Sequence, residues 1–142
     1  MSWANITWIF LHSYAEKINI NFLNNNKNNC LGLVKYLCTH LPCPICSKHA
    51  YTYFSKNDIN NVTNKEELKK YLWSFHNDVN IRLKKPPFKY EDLEKYKYAI
   101  FPKIAKKFII EYEKPYMYTK TMNSWKRKKA GNLIKSYLKI II

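Results

Sequence analysis

Glycine is nearly absent from this chain, with two residues in 142. Tight turns, β-hairpins and phosphate-cradling loops draw on glycine for backbone angles that other residues resist. The scarcity argues against a Gly-rich nucleotide loop and favours helices joined by Asn- and Pro-containing turns. Arginine is just as rare, present only at Arg82 and Arg127. The formal charge is nonetheless +15, so lysine carries it. Proteins that read base edges favour Arg for its bidentate fork. Abundant Lys, Asn and Ile therefore read first as the coding bias of an AT-rich genome, and nucleic-acid contact is expected through charge only. No apolar run reaches the roughly 20 residues of a membrane span, and the terminal Leu138-Lys139-Ile140-Ile141-Ile142 is too short to cross. Met1 to Ala15 has neither a basic leader nor a small-residue cleavage site. The chain is expected to stay in the compartment where it is made. There is no internal repeat.

What is present is a globular composition: 46% hydrophobic and 16% aromatic residues in a length suited to one domain. Trp3, Ile6, Trp8, Ile9, Leu11, His12 and Ala15 read as a first amphipathic helix over 3–20. An Asn-rich connection over 19–29 follows. Cys30, Leu33, Val34, Leu37, Cys38 and Leu41 set a second helix, which Pro42 stops. A third is expected from Cys43 to about Ser55. Thr63-Asn64-Lys65-Glu66 has the pattern of a capping box and opens a fourth helix to about Lys84, ended by Pro86-Pro87. Tyr90 to Phe101 reads as a short fifth helix closed by Pro102. Residues 103–142 form a Lys- and Tyr-rich extension, helical in propensity to Glu113 and ambiguous between helix and strand after that.

Four cysteines without a secretory signal point to redox or metal chemistry. Cys43-Pro44-Ile45-Cys46 can close a disulfide across one helical turn, and a helix N-terminus there would favour a thiolate. Thioredoxin-like proteins also use C-P-x-C, but after a β-strand, whereas helical periodicity precedes it here. Cys38, Cys43, Cys46 and His49 could instead hold zinc. In the fourth helix, at about 100° per residue, Trp73, His76, Asn77, Asn80 and Lys84 share one arc beside the apolar Leu68, Leu72, Phe75, Val79 and Leu83. That row offers ring, imidazole, amide and ammonium groups to a large flat ligand bearing phosphates. Its alternative is a solvated helix face. Cys30 and Cys38 lie about 12 Å apart along one helix, too far to pair, and read as buried core thiols, with an electron relay as the alternative.

Taken in order, these segments resemble the Erv/ALR sulfhydryl oxidases. The family pattern W-G-x-x-x-W-x-x-L-H-x-x-A, then C-x-x-C, then W-x-x-H-N-x-V-N-x-x-L-x-K-P is met by Trp3, Trp8, Leu11, His12 and Ala15, by Cys43 and Cys46, and by Trp73, His76, Asn77, Val79, Asn80, Leu83, Lys85 and Pro86. Leu41-Pro42-Cys43 with His49-Ala50, and Lys85-Pro86 leading into Tyr90-Glu91, resemble the compact forms of large cytoplasmic DNA viruses. Ala4 replaces the usual Gly. Tyr90 stands where cellular forms place the first of a further Cys pair, and no separate C-x-x-C exists as a shuttle.

The resemblance implies an all-α four-helix bundle with a short fifth helix, a homodimer, and bound FAD. It divides the chain into an FAD-binding sulfhydryl oxidase domain over 1–101 and a basic C-terminal extension over 102–142, outside the catalytic core and of unknown role. It makes Cys43 the sulfur attacked by substrate and Cys46 the sulfur against the flavin. Flavin contacts by the same resemblance are Thr7, Trp8, Leu11, His12, Cys46, Trp73, His76, Asn77, Val79, Asn80, Lys84 and Lys85, the two lysines toward the pyrophosphate. No metal is required. The implied partners are a dithiol protein substrate or a thioredoxin-like relay protein, and oxygen, which is reduced to hydrogen peroxide. The implied location is the cytoplasm of an infected host cell, with virion association a further option. The competing class is a zinc-binding, non-enzymatic module with a nucleic-acid-facing basic surface. Colour separates the two, since only the flavoprotein is yellow.

Overall fold

The computed structural model of the chain describes residues 2–114 and 124–141. Every regular element among the described residues is helical, as the glycine-poor sequence leads one to expect. Helix α1 (Trp3–Lys17) begins where the Ser2 hydroxyl accepts the Asn5 N–H, 3.2 Å away. Its buried residues run almost all round: Ile6, Thr7, Phe10, Leu11, His12, Ser13, Tyr14 and Ala15. A helix with so little solvent face must be surrounded. It packs between α5 (Lys65–Arg82) on one side and α6 (Phe101–Tyr112) on the other.

The Asn-rich connection expected over 19–29 is instead largely helical. Asn19 caps the short α2 (Ile20–Asn25), and α3 (Lys27–Thr39) starts directly after Asn26. Asn is a poor interior helix former but a good cap. A run of it therefore reads as loop although two helices start in it. Helix α3 buries Cys30, Leu31, Leu33, Val34, Leu37 and Cys38, and the Tyr14 hydroxyl donates to the Cys30 carbonyl at 2.8 Å. Cys30 and Cys38 are unpaired and buried, as core thiols should be. Cys43 is the N-cap of α4 (Pro44–Lys56), with Pro44 in the first turn, where its missing N–H is harmless. The cap of α5 sits one residue later than the capping-box pattern suggests. The Asn64 side chain accepts the Glu67 N–H, and the Glu67 carboxylate in return accepts the Thr63 N–H and hydroxyl.

The short fifth helix is a 3-10 helix over Tyr90–Tyr98. One further expectation is corrected. Pro102 does not close a helix but lies in the first turn of α6. Proline is tolerated at both ends of a helix, and the sequence does not say which it marks. The ambiguous final segment forms α7 (Ser124–Ile141). Phe101, Ala105, Phe108 and Tyr112 of α6 and Ala130, Ile134 and Leu138 of α7 belong to the same buried cluster as α1 and α3. Residues beyond 101 therefore share the core of the rest of the chain.

Candidate active site

Cys43 and Cys46 are joined as a disulfide, their Cα atoms 5.2 Å apart. Two local features position them. Pro42 and Pro44 fix the chain into and out of Cys43, and the Ser47 hydroxyl exchanges hydrogen bonds with the Leu41 N–H (2.9 Å) and carbonyl (3.2 Å). The Cys43 sulfur accepts the Cys46 N–H at 3.3 Å, so the outer sulfur itself caps the helix. Ile45, between the two cysteines, is 71% exposed, and Cys43 is half-buried. Cys46 is half-buried and faces inward.

Inward lies a cavity of about 230 Å³, closed by α1, α5 and the end of α3. Helix α1 contributes Trp3, Thr7, Trp8 and Leu11, and α5 contributes Phe75, His76, Val79 and Asn80. Cys38 and Cys46 lie on the wall formed by α3 and α4, and Arg82 and Lys85 bring positive charge. Thus Thr7, Trp8, Leu11, Cys46, His76, Val79, Asn80 and Lys85 of the sequence-predicted set come together around one space. The Thr7 hydroxyl is committed to the Trp3 carbonyl at 2.6 Å.

The other predicted residues lie just behind. His76 stacks on Trp8, ring centroids 3.8 Å apart and planes within 6°. Its Nδ1 meets His12 Nε2 at 2.9 Å. Phe88 stacks on both imidazoles, at 5.1 Å from His76 and 5.4 Å from His12. Burial first, then the neighbouring positive groups, push His12 down to about 3 and His76 down to about 4. Both rings are therefore neutral at physiological pH, and one nitrogen of the pair donates to the other. His12 Nδ1 is buried without a protein partner. The tautomer that leaves a lone pair there, with the proton on Nε2, avoids burying an orphaned N–H.

Trp73 and Asn77 do not face the cavity lining. Trp73 Nε1–H donates to the Phe88 carbonyl at 2.7 Å. Asn77 binds the backbone of the same residue twice, Nδ2 donating to the Phe88 carbonyl at 3.0 Å and Oδ1 accepting the Phe88 N–H at 2.7 Å. The pair clamps the segment that follows Pro86-Pro87 over the imidazoles. Lys84 also lies off the lining. Its φ of 57° makes it the left-handed residue that ends α5. The Lys84 N–H bonds to the Ile81 carbonyl and the Lys85 N–H to the Asn80 carbonyl, a Schellman closure that turns Lys85 back to the cavity.

Sequence reasoning missed Arg82, whose Nη2 lies 3.6 Å from the Cys46 sulfur. It falls outside the arc of Trp73 and His76, and the only signal was its rarity among so many lysines. It also missed that His49 Nε2 meets Asp78 Oδ2 at 2.6 Å. Of the four candidate zinc ligands, Cys43 and Cys46 are bonded to each other, His49 is held by Asp78, and Cys38 is buried. Tyr90, at the position of the absent cysteine, packs edge-on to Trp73 and donates to Glu66 at 3.0 Å.

Residues 5–99 match the model of the Erv1 / Alr family. The chain belongs to the Erv1/Alr family. Among its relatives is protein 096R of Invertebrate iridescent virus 3, 31% identical over 85 residues that make up 59% of this chain and 57% of that protein. The FAD-linked sulfhydryl oxidase of African swine fever virus (isolate Tick/Malawi/Lil 20-1/1983) is 31% identical over 85 residues, 60% of this chain and 71% of its own. The mitochondrial FAD-linked sulfhydryl oxidase erv1 of Schizosaccharomyces pombe is 30% identical over 83 residues, 58% of this chain and 46% of its own. No solved structure matches the chain at comparable stringency. No helix among the described residues is long and apolar enough to cross a membrane.

Proposed function

We propose that this Erv1/Alr chain is an FAD-linked sulfhydryl oxidase that makes disulfide bonds in dithiol proteins and passes the electrons to oxygen, giving hydrogen peroxide. The observation that carries the reading is the Cys43–Cys46 disulfide with its inner sulfur on the wall of the aromatic cavity.

The residues fit the cofactor. Trp8, Leu11, Phe75 and Val79 give flat apolar walls suited to a ring system. Asn80 adds an amide, and Lys85 would meet phosphate oxygens at the basic side. His12, Trp73 and Asn77 act one step behind, holding His76 and the Phe88 segment in place. When bound, FAD supplies a two-electron acceptor that a dithiol can reduce and oxygen can reoxidise.

The chain's own part is thiol–disulfide exchange. A substrate thiolate reaches Cys43 from the exposed Ile45 side and attacks its sulfur. The bond to Cys46 breaks and its electron pair stays on the Cys46 sulfur. A second substrate thiolate attacks the mixed disulfide, releasing oxidised substrate and a Cys43 thiolate. That thiolate is stabilised by the Cys46 N–H and the α4 N-terminus. The neutral imidazole pair and the stacked Trp8 add no competing charge to the cavity.

Residues 1–101 hold every group lining the cavity, and residues 102–142 serve the site indirectly by packing α6 along α1. The substrate is a dithiol protein or a thioredoxin-like relay, the assembly a homodimer, and the location the cytoplasm of an infected host cell; virion association is the narrower form of that reading. Purified chain should consume oxygen with dithiothreitol and release peroxide, unchanged after exhaustive chelation. Activity lost on chelation and restored by zinc would sink the reading.

A further inference from the structure

The two sulfurs of the disulfide sit in different electrostatic settings. Cys43 Sγ lies at the N-terminus of α4 and takes a backbone N–H. Cys46 is the third helical residue, still in the first turn, and its own N–H is the one given to Cys43 Sγ. What meets Cys46 is Arg82 from the last turn of α5, Nη2 to Sγ 3.6 Å. The guanidinium makes no ion pair among the described residues, and its Nε is buried without a partner. Asp78, one turn earlier on α5, is engaged by His49. The positive charge of Arg82 is thus left uncompensated beside a single sulfur.

We propose that Arg82 is a further catalytic residue: its guanidinium takes up the negative charge that collects on Cys46 Sγ when a substrate thiolate opens the disulfide. The inference rests on the oxidase reading given above. In that step the substrate sulfur bonds to Cys43 Sγ, the Cys43–Cys46 bond breaks, and the electron pair remains on Cys46. No proton and no further oxidant enter. A leaving thiol of lower pKa departs faster, so a cation at Cys46 speeds the opening and directs attack to Cys43. Arginine suits the place because it stays charged in a partly buried setting where lysine readily loses its proton.

Among the described residues, Arg82 is the cation that hydrogen-bonds the Cys46 sulfur. From α3 comes the buried thiol of Cys38, which burial holds in its neutral form. From α1 come Trp8 and Leu11, both without charge. On α4 itself His49 is tied to Asp78. From α5 His76 also lines the cavity, held neutral by burial, and Lys85 on the loop after α5 adds a second cation to the cavity but no hydrogen bond to the Cys46 sulfur.

The test uses the full chain with Cys43→Ser, in which Cys46 is the freed thiol of the pair. Iodoacetamide alkylation of Cys46 is followed against pH by peptide mass spectrometry. The midpoint should lie at least about one unit below the ordinary thiol value of about 8.5. Adding Arg82→Gln should raise it by about one unit, a tenfold loss of thiolate below the midpoint, and Arg82→Lys should restore part of that. With Cys46→Ser as background, the Cys43 midpoint should move much less on Arg82→Gln. A Cys46 midpoint at or above the ordinary value in Cys43→Ser alone overturns the proposal without any change at Arg82. Equal shifts at both cysteines overturn it too, since the effect would then be general. Flavin content and dithiol turnover of the unsubstituted chain are read separately. Active oxidase with a Cys46 midpoint indifferent to Arg82 overturns the role of Arg82 and leaves the oxidase reading standing. No flavin and no turnover, with the Arg82 dependence intact, supports the Arg82–Cys46 coupling and overturns the oxidase reading.

Discussion

Removing the side chain of Phe108 probes how far the site depends on residues outside the matched segment. Phe108 is 1% exposed and stacks on Phe10 of α1 at a centroid distance of 4.5 Å. Phe10 lies within one turn of Trp8 and His12, so the contact sits directly behind the cavity wall. A buried Phe→Ala change costs about 3–5 kcal/mol in transfer and cavity terms. Ordinary domains have roughly 5–15 kcal/mol in total, so Phe108→Ala should consume a large part of the margin. Truncation after Pro102 goes further, because it also removes Ile134 and Leu138 from the core. Even at low-end values the three side chains together represent roughly 7 kcal/mol, comparable to the whole stability of many domains. Urea unfolding followed by far-UV circular dichroism measures the first change. Soluble yield and bound flavin measure the second. Phe108→Ala should lower the urea midpoint steeply with m little changed, and the truncated chain should not accumulate as folded protein. A truncated chain with an unchanged midpoint and full flavin content would refute the packing argument.

Acid should destabilise the fold through the imidazoles. Because the folded-state pKa of His12, about 3, lies below its ordinary 6.5, the unfolded chain binds the proton first as pH falls; stability is full above 6.5 and is lost between 6.5 and the folded value, with a slope of up to about 1.4 kcal/mol per pH unit per histidine. His76, lowered to about 4, acts in the same direction. Denaturant midpoints measured from pH 8 to 4 check this, and a flat profile contradicts it. Lys84→Gly should raise stability by about 1 kcal/mol, since a left-handed φ is strained for any residue with a Cβ; a loss instead would mean the ammonium matters more than the backbone. Cys43→Ser should leave the Cys46 thiolate beside oxidised flavin and give a long-wavelength absorbance tail, while Cys46→Ser should show flavin without the tail; both should lose nearly all dithiol oxidation, and Cys30→Ser should keep most of it. A tail in the Cys46 variant only would reverse the two roles.

Much of the architecture was legible because burial imposes periodicity. Leu68, Leu72 and Phe75 had to share a face of α5, and α3 declared itself the same way. The short α2 was hidden because asparagine serves loops and caps alike. The 3-10 geometry of Tyr90–Tyr98 was hidden because that segment shows similar spacing in either helix type. The stripe on α5 split into two roles that sequence alone merges: His76 and Asn80 line the cavity, whereas Trp73 and Asn77 bind the Phe88 peptide. Only the fold of residues 83–88 back over the helix distinguishes them. Arg82 was invisible for a related reason. Its partner, Cys46, is 36 residues away on another helix, and no periodicity on α5 reports a neighbour of that kind.

The central claim is tested most directly by the visible spectrum of the purified, full-length chain before and after anaerobic dithiothreitol. The account predicts a yellow protein with a flavin band in the blue that bleaches with dithiol and returns on admitting air, with peroxide formed. A colourless protein that releases zinc to a chelator, or a yellow one whose band dithiol leaves untouched, would contradict it.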